Sequence, residues 1–201
     1  MSVKDEIKET SPRLYGMAVH RCVLYAVNLC LIPVVTIIAA VADEDSVLQK
    51  LHFRIRSLVW KRRLQSMGCN SRIYRDVIIH CPECVSIGNN VAIAEFVHMW
   101  GKGGIRICDN VIIAAHSVLT SVTHDKYSTP FGSRNIYGNI LIEEDVWIGS
   151  NAVILPDVKI GKHSIVGAGS VVTKSVPEYS IVAGVPAHIV GRTDKLTRHV
   201  E

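Results

Sequence analysis

The sequence predicts an all-β chain: a triangular prism of short strands in stacked coils, preceded by a helical, membrane-facing appendage. Three observations carry this. The 201 residues hold 27 Val and 23 Ile against 12 Leu, and β-branched side chains suit a pleated, buried surface. Eight of the twelve leucines lie at or before Leu64, so the front third differs from the rest. Further on, aliphatic residues recur every six positions from Ile142 to Val172, a period that neither a helix nor simple alternation produces. The composition excludes an ordinary helix bundle. With 48% apolar and 20% charged residues it also excludes a disordered chain. Six cysteines without regular spacing are no disulfide framework and point to a reduced, cytoplasmic setting.

The front segment comes first in the chain. Residues 22–42, CVLYAVNLCLIPVVTIIAAVA, are uncharged between Arg21 and Asp43. At ~1.5 Å per residue that length could just span a bilayer, but Pro33 would kink a helix there. Behind it come Lys50, Arg54, Arg56, Lys61, Arg62, Arg63, Arg72 and Arg75, with no acid between Asp45 and Asp76. Leu48, Leu51, Ile55, Leu58 and Val59 recur there at helical spacing. This describes a basic amphipathic helix suited to an anionic membrane surface, and the basic cluster places that side in the cytoplasm. Residues 22–42 can be read as a spanning helix, a kinked re-entrant hairpin or a buried helix of a soluble oligomer. A peripheral or re-entrant contact through residues 16–64, at the cytoplasmic face of the inner membrane, is the reading adopted. No recognition motif or aromatic platform accompanies the basic run, so nucleic acid is not an expected partner.

The repeat follows. Ile142, Ile148, Ile154, Ile160, Val166 and Val172 are spaced by six, and four positions after each stand Val146, Ala152, Val158, Ser164, Ser170 and Val176. Polar or turn-forming pairs lie between them, such as Glu144-Asp145 and Pro156-Asp157. Upstream the pattern continues at Ile87, Ile93, Ile107, Ile113 and Leu119, starting raggedly near Ile73 and Ile79. Short strands joined by tight corners fit this, with Asn, Asp and Gly suited to left-handed corner backbone. Stacked coils bury a core that no single repeat buries alone, and three hexads make one turn. Two extra residues enter between Ile79 and Ile87 and two more between Ile93 and Ile107. Residues 124–140, HDKYSTPFGSRNIYGNI, leave the pattern as a protruding loop. The expected divisions are an appendage over 1–68, the prism over 69–191 and a tail over 192–201.

Residues 146–190, VWIGSNAVILPDVKIGKHSIVGAGSVVTKSVPEYSIVAGVPAHIV, resemble the C-terminal half of the hexapeptide-repeat acyltransferases. Their members include the galactoside, maltose and xenobiotic acetyltransferases and the sugar O-acetyltransferases of polysaccharide biosynthesis. The likeness extends back through IRICDNVIIAAHSVLTSVTHD, residues 105–125. It implies a left-handed parallel β-helix, a homotrimer with sites between neighbouring prisms, and acetyl-CoA as co-substrate with no metal.

An alcohol is a poor nucleophile at neutral pH, so acyl transfer to a hydroxyl needs a base, and histidine is the natural one. The resemblance assigns that role to His124, in SVTHD, with Asp125 as a candidate to orient it. It maps cofactor contacts to Ser150, Ala168, Thr173 and Lys174. Arg192 stands one place away from a basic residue expected on the 3′-phosphate. His98, Trp147 and Tyr127 are candidates for the acceptor site. His80, His98 and His116, spaced by 18, invite a metal reading as in γ-class carbonic anhydrases. That family would need a further histidine where Ser121 stands, and the insertions should keep the three from stacking. Cys81-Pro-Glu-Cys84 is half a zinc knuckle without a second pair, and reads as a turn. The expected function is acetyl-CoA-dependent O-acetylation of a sugar hydroxyl on a glycan or glycan precursor, by direct transfer. The alternatives are a small soluble acceptor, a γ-carbonic-anhydrase-like metalloenzyme, or a non-catalytic scaffold.

Overall fold

The structure, a computed structural model, describes residues 47–195, with side chains described over 53–194. The apolar segment 22–42 and most of the expected membrane-contacting range lie outside the described residues. One helix, α1 (Val47–Arg63), opens the described part and ends on Lys61, Arg62 and Arg63. A compact unit begins at Ile55, and within it Trp60 and Leu64 belong to the prism's core cluster.

The strands form parallel coils. Coil 1 holds β1 (Ser66–Met67), β2 (Arg72–Ile73) and β3 (Ile78–His80). Coil 2 holds β4 (Val85–Ile87), β5 (Ala92–Ile93) and β6 (His98–Trp100), and coil 3 holds β7 (Ile105–Ile107), β8 (Ile112–Ile113) and β9 (Val118–Thr120). A hairpin, β10 (Val122–His124) with β11 (Asn135–Tyr137), projects there. Coil 4 is β12 (Ile140–Ile142), β13 (Trp147–Ile148) and β14 (Val153–Ile154); coil 5 is β15 (Lys159–Ile160), β16 (Ile165–Val166) and β17 (Val171–Val172). A last partial coil carries β18 (Ser180–Ala183), and β19 (His188–Arg192) folds back antiparallel on it. The coils stack into three faces: β1-β4-β7-β12-β15, then β2-β5-β8-β13-β16-β18, then β3-β6-β9-β14-β17. This is the parallel β-solenoid expected, and its first strand already lies before residue 69.

All six predicted aliphatics from Ile142 to Val172 are buried, and so are the six residues four positions later. The buried serines have a specific use. Ser71 donates from Oγ to the Gly88 carbonyl at 2.7 Å and accepts from the Val91 amide at 3.0 Å. Ser164 does the same between Pro177 and Ser180. A small hydroxyl therefore satisfies backbone groups between coils where an aliphatic side chain could not.

Between the first and second faces runs a regular edge. Asn70, Asn90, Asn110, Asp145, His163 and Tyr179 stack along it, each with φ between 54° and 59°. Asn tolerates this left-handed backbone best among residues with a Cβ, and here its amide also bridges coils: Asn90 Nδ2 donates to Asn110 Oδ1 at 3.1 Å. Lower on the same edge His163 Nδ1 and Asp145 Oδ2 lie 2.8 Å apart, and the His163 ring stacks on Tyr179.

Candidate active site

Irregularity collects on the edge between the third and first faces. Ile73, Ile93 and Ile113 are stacked partners, a step of 20 residues, while Ile148 and Val166 are partners at a step of 18. Ile79 to Ile87 and Met99 to Ile107 are the enlarged corners, since the other corners of coils 1 and 2 keep the spacing of six. The second insertion thus falls after Met99, a buried core position that the aliphatic pattern skipped. In coil 1 the extra length forms the 3₁₀ turn Pro82–Cys84. In coil 2 it is Gly101–Gly104, packed so tightly that a Cβ on Gly103 would collide with the Ser121 carbonyl. In coil 3 it is the hairpin.

These three enlarged corners lie side by side and enclose a cavity of about 530 Å³. His80 and Trp100 are stacked partners, as are Trp100 and Thr120, and all three line it. Cys81, Lys102, Thr123, His124, Asn135 and Tyr137 complete much of the wall.

His124 ends β10 and pairs with Asn135. Its side chain is exposed, and among the described residues its ring makes no hydrogen bond. The loop returns over it at Gly132, where φ is +91° and a Cβ would lie 3.8 Å from Nδ1. The His124 ring thus lies in the cavity with both ring nitrogens available to ligand or solvent.

Asp125, expected to orient it, is otherwise engaged. Its Oδ1 accepts the Tyr127 amide at 2.9 Å and its Oδ2 lies 3.7 Å from Arg134. Short polar side chains that bond the amide two residues on shape turns, so Asp125 builds the loop and makes no hydrogen bond to the imidazole.

The aromatic wall was invisible to a period of 18. His80 stacks on Trp100 at 4.1 Å and 18°, and His98 lies 5.1 Å from His80 and 5.3 Å from Trp100. So His80 and His98 do meet, contrary to the expectation that insertions keep them apart. His116 goes elsewhere, onto Phe96 at the edge between the second and third faces. His98 Nε2 is buried and has no hydrogen-bond partner among the described residues. Burial first, and then the neighbouring His80, push its pKa down, so its neutral form is favoured. Among the described residues no group of three or more His, Cys, Asp or Glu is placed to hold a metal ion. Cys81 and Cys84 flank the expected turn, but Cys81 also lines the His124 cavity, which its sequence context did not suggest.

Other candidates lie away from the cavity. Trp147 points outward from the second face between Ile112 and Ile165 and is 52% exposed, so within one chain it is no wall of this site. Tyr127, 84% exposed, sits out on the loop beside Lys126. Arg192 is bidentate to Asp194, with Nη2 to Oδ2 at 2.8 Å, and this pairing raises its pKa. Ser150 and Ala168 stack at the edge between the second and third faces, where the Gly169 amide donates to the Ser150 carbonyl at 2.8 Å. Ala168 and Gly169 are exposed, and a Cβ on Gly169 would meet nothing, so an extended arm could lie flat there. Thr173 and Lys174 are exposed beyond β17, on the irregular edge two coils past the hairpin. A single chain therefore holds His124 and the Ser150–Ala168 corner on opposite borders of its third face.

Residues 139–174 match the family model described as bacterial transferase hexapeptide (six repeats). The chain is 30% identical over 145 residues to the galactoside O-acetyltransferase of Escherichia coli K12, covering 72% of this chain and 71% of that protein. It is 32% identical over 124 residues to the putative lipopolysaccharide biosynthesis O-acetyl transferase WbbJ of the same strain, spanning 57% of this chain and 63% of that relative. A crystal structure of the hexapeptide-repeat acetyltransferase VCA0836 of Vibrio cholerae, complexed with acetyl-CoA, superposes with a TM-score of 0.67 at 28% identity, covering 75% of this chain and 80% of the other. With its core hexads buried as the repeat requires and a relative matched over most of both lengths, the chain belongs to the bacterial hexapeptide-repeat acetyltransferases.

Proposed function

We propose that this protein is an acetyl-CoA-dependent O-acetyltransferase acting on a sugar hydroxyl of a glycan or glycan precursor, with His124 as general base. The observation that carries this is the His124 ring, unbonded to other described residues, in the cavity at the irregular edge. A base must have a nitrogen free for the proton it takes. The acceptor hydroxyl gives its proton to the imidazole as its oxygen attacks the thioester carbonyl. The tetrahedral oxyanion then collapses, and the thiolate of CoA leaves and takes the proton back from the imidazolium. Asn135 offers a neutral amide donor in the same cavity for the oxyanion.

The corner of small side chains at Ser150 and Ala168, half-buried at Ser150 and exposed at Ala168, suits the pantetheine arm, with Thr173 and Lys174 further along. Because that corner and His124 lie on opposite borders of one face, a homotrimer completes the site by bringing one copy's corner to another copy's histidine. On α1, Leu58 is 58% exposed near exposed Lys61 and Arg62. This supports contact with an anionic membrane surface, and hence a lipid-linked or membrane-proximal acceptor. Among the described residues no helix is long and apolar enough to cross a membrane.

The test is acetyl transfer from labelled acetyl-CoA to a panel of sugars, with and without membranes. His124→Ala is expected to abolish it and Cys81→Ser to retain it. Near-normal transfer by His124→Ala overturns the base assignment. Loss of transfer in Cys81→Ser, together with an acetyl-thioester trapped on Cys81 of the unaltered chain, overturns direct transfer.

A further inference from the structure

Among the described residues, the His124 cavity is lined by one lysine, Lys102, and by no carboxylate. Lys102, in the two-residue insertion of coil 2, has its Nζ 5.5 Å from the Tyr137 ring centroid. Among the described residues no carboxylate oxygen lies within 4.0 Å of that nitrogen. Lys159, Lys162, Arg134 and Arg192 each have an acid at that range. The Tyr137 phenol is held below its ordinary pKa, first by its hydrogen bond with the Asn135 amide and then by Lys102, so the two side chains meet at the same wall of the cavity. In the same cavity Trp100 stacks on His80 and remains 42% exposed, a flat apolar surface about the size of a sugar ring.

A cation facing a cleft without its own counter-ion raises the local concentration of anions and orients them. An aromatic face takes an apolar ring surface. We infer that the acceptor is a sugar carrying an anionic group, phosphate or carboxylate, near the acylated hydroxyl: the ring lies on Trp100 and the anion is held by Lys102. The inference builds on the O-acetyltransferase reading for the hydroxyl, while the anion preference is measurable without turnover. Lys102 is then a specificity-determining residue.

The experiment is calorimetric binding of glucose, glucose 1-phosphate and glucuronate to the full chain, to Lys102→Gln and to Lys126→Gln. Lys126 lies on the loop outside the cavity wall, so its variant controls for net charge. At least one anionic sugar is expected to bind about tenfold tighter than glucose, the scale of one charge-assisted contact. Lys102→Gln should erase that margin and Lys126→Gln should keep it. The tighter of the two anionic probes identifies phosphate or carboxylate as the source. Equal binding of all three, no binding of any, or a margin that survives Lys102→Gln overturns the inference. Acetyl-CoA binding and circular dichroism confirm that the variants are folded. A failure of His124-dependent transfer would leave this contrast readable, so the two readings fail separately.

Discussion

Two edges of the same prism have opposite designs. The edge between the first and second faces keeps every corner short, and one residue of each corner adopts left-handed backbone, from Asn70 to Tyr179. The edge between the third and first faces breaks the repeat in three successive coils and carries the cavity. A regular corner spends its side chains on bridging coils, as the Asn70–Asn90–Asn110 ladder does. A corner with extra residues leaves side chains free to face a ligand, as rigid scaffolds with loops commonly do.

Histidines on the two edges give the largest contrast. His124→Ala is expected to lower kcat by about 10²–10⁴-fold, the usual scale for a general base. His163→Ala, on the regular edge, should leave acetyl transfer within about twofold; a comparable loss there would erase the division. Next comes the core that both edges share. Ile154→Ala should cost about 2–5 kcal/mol in denaturant unfolding, because Ile154 is fully buried. A third effect separates the edges by stability. Asn90→Ala should cost about 1–2 kcal/mol for holding an ordinary residue at φ 55°, and Asn90→Gly should cost less; equal losses would mean the side-chain bridge, and not the backbone, matters. The smallest effect is electrostatic. The Lys159 ammonium, first among several causes, holds the Glu143 carboxyl below the usual carboxylate range. A depressed carboxyl stabilises the fold above its unfolded value of about 4.3 and loses that contribution as pH falls through the folded value. Glu143→Gln should therefore flatten the acid limb of the melting temperature below about pH 4; an unchanged limb would show the pair to be inert.

How much was readable in the chain varied with distance from the repeat. The hexads from Ile142 to Val176 were readable because each inward position is set by local strand alternation and corner length. His124 was readable as the point where the pattern stops. The cavity wall was not. His80, Trp100 and Thr120 are one coil apart at 20 residues, and the 18-residue spacing singled out His80, His98 and His116 instead. Asp125 looked like a partner for His124 by adjacency, yet its carboxylate turns to the Tyr127 amide and Arg134. Trp147 was a candidate for the acceptor site, yet it points outward on another face. Lys102 gave no signal, since a lysine between glycines resembles any solvated turn.

The sequence alone determined the repeat, the core it buries and the family, because these rest on local periodicity and a contiguous motif. Only the tertiary structure decided which insertions share an edge, and so which side chains wall the cavity. Each two-residue insertion shifts every later residue relative to the coil below. Neighbours across coils follow from the accumulated register, which no single coil displays.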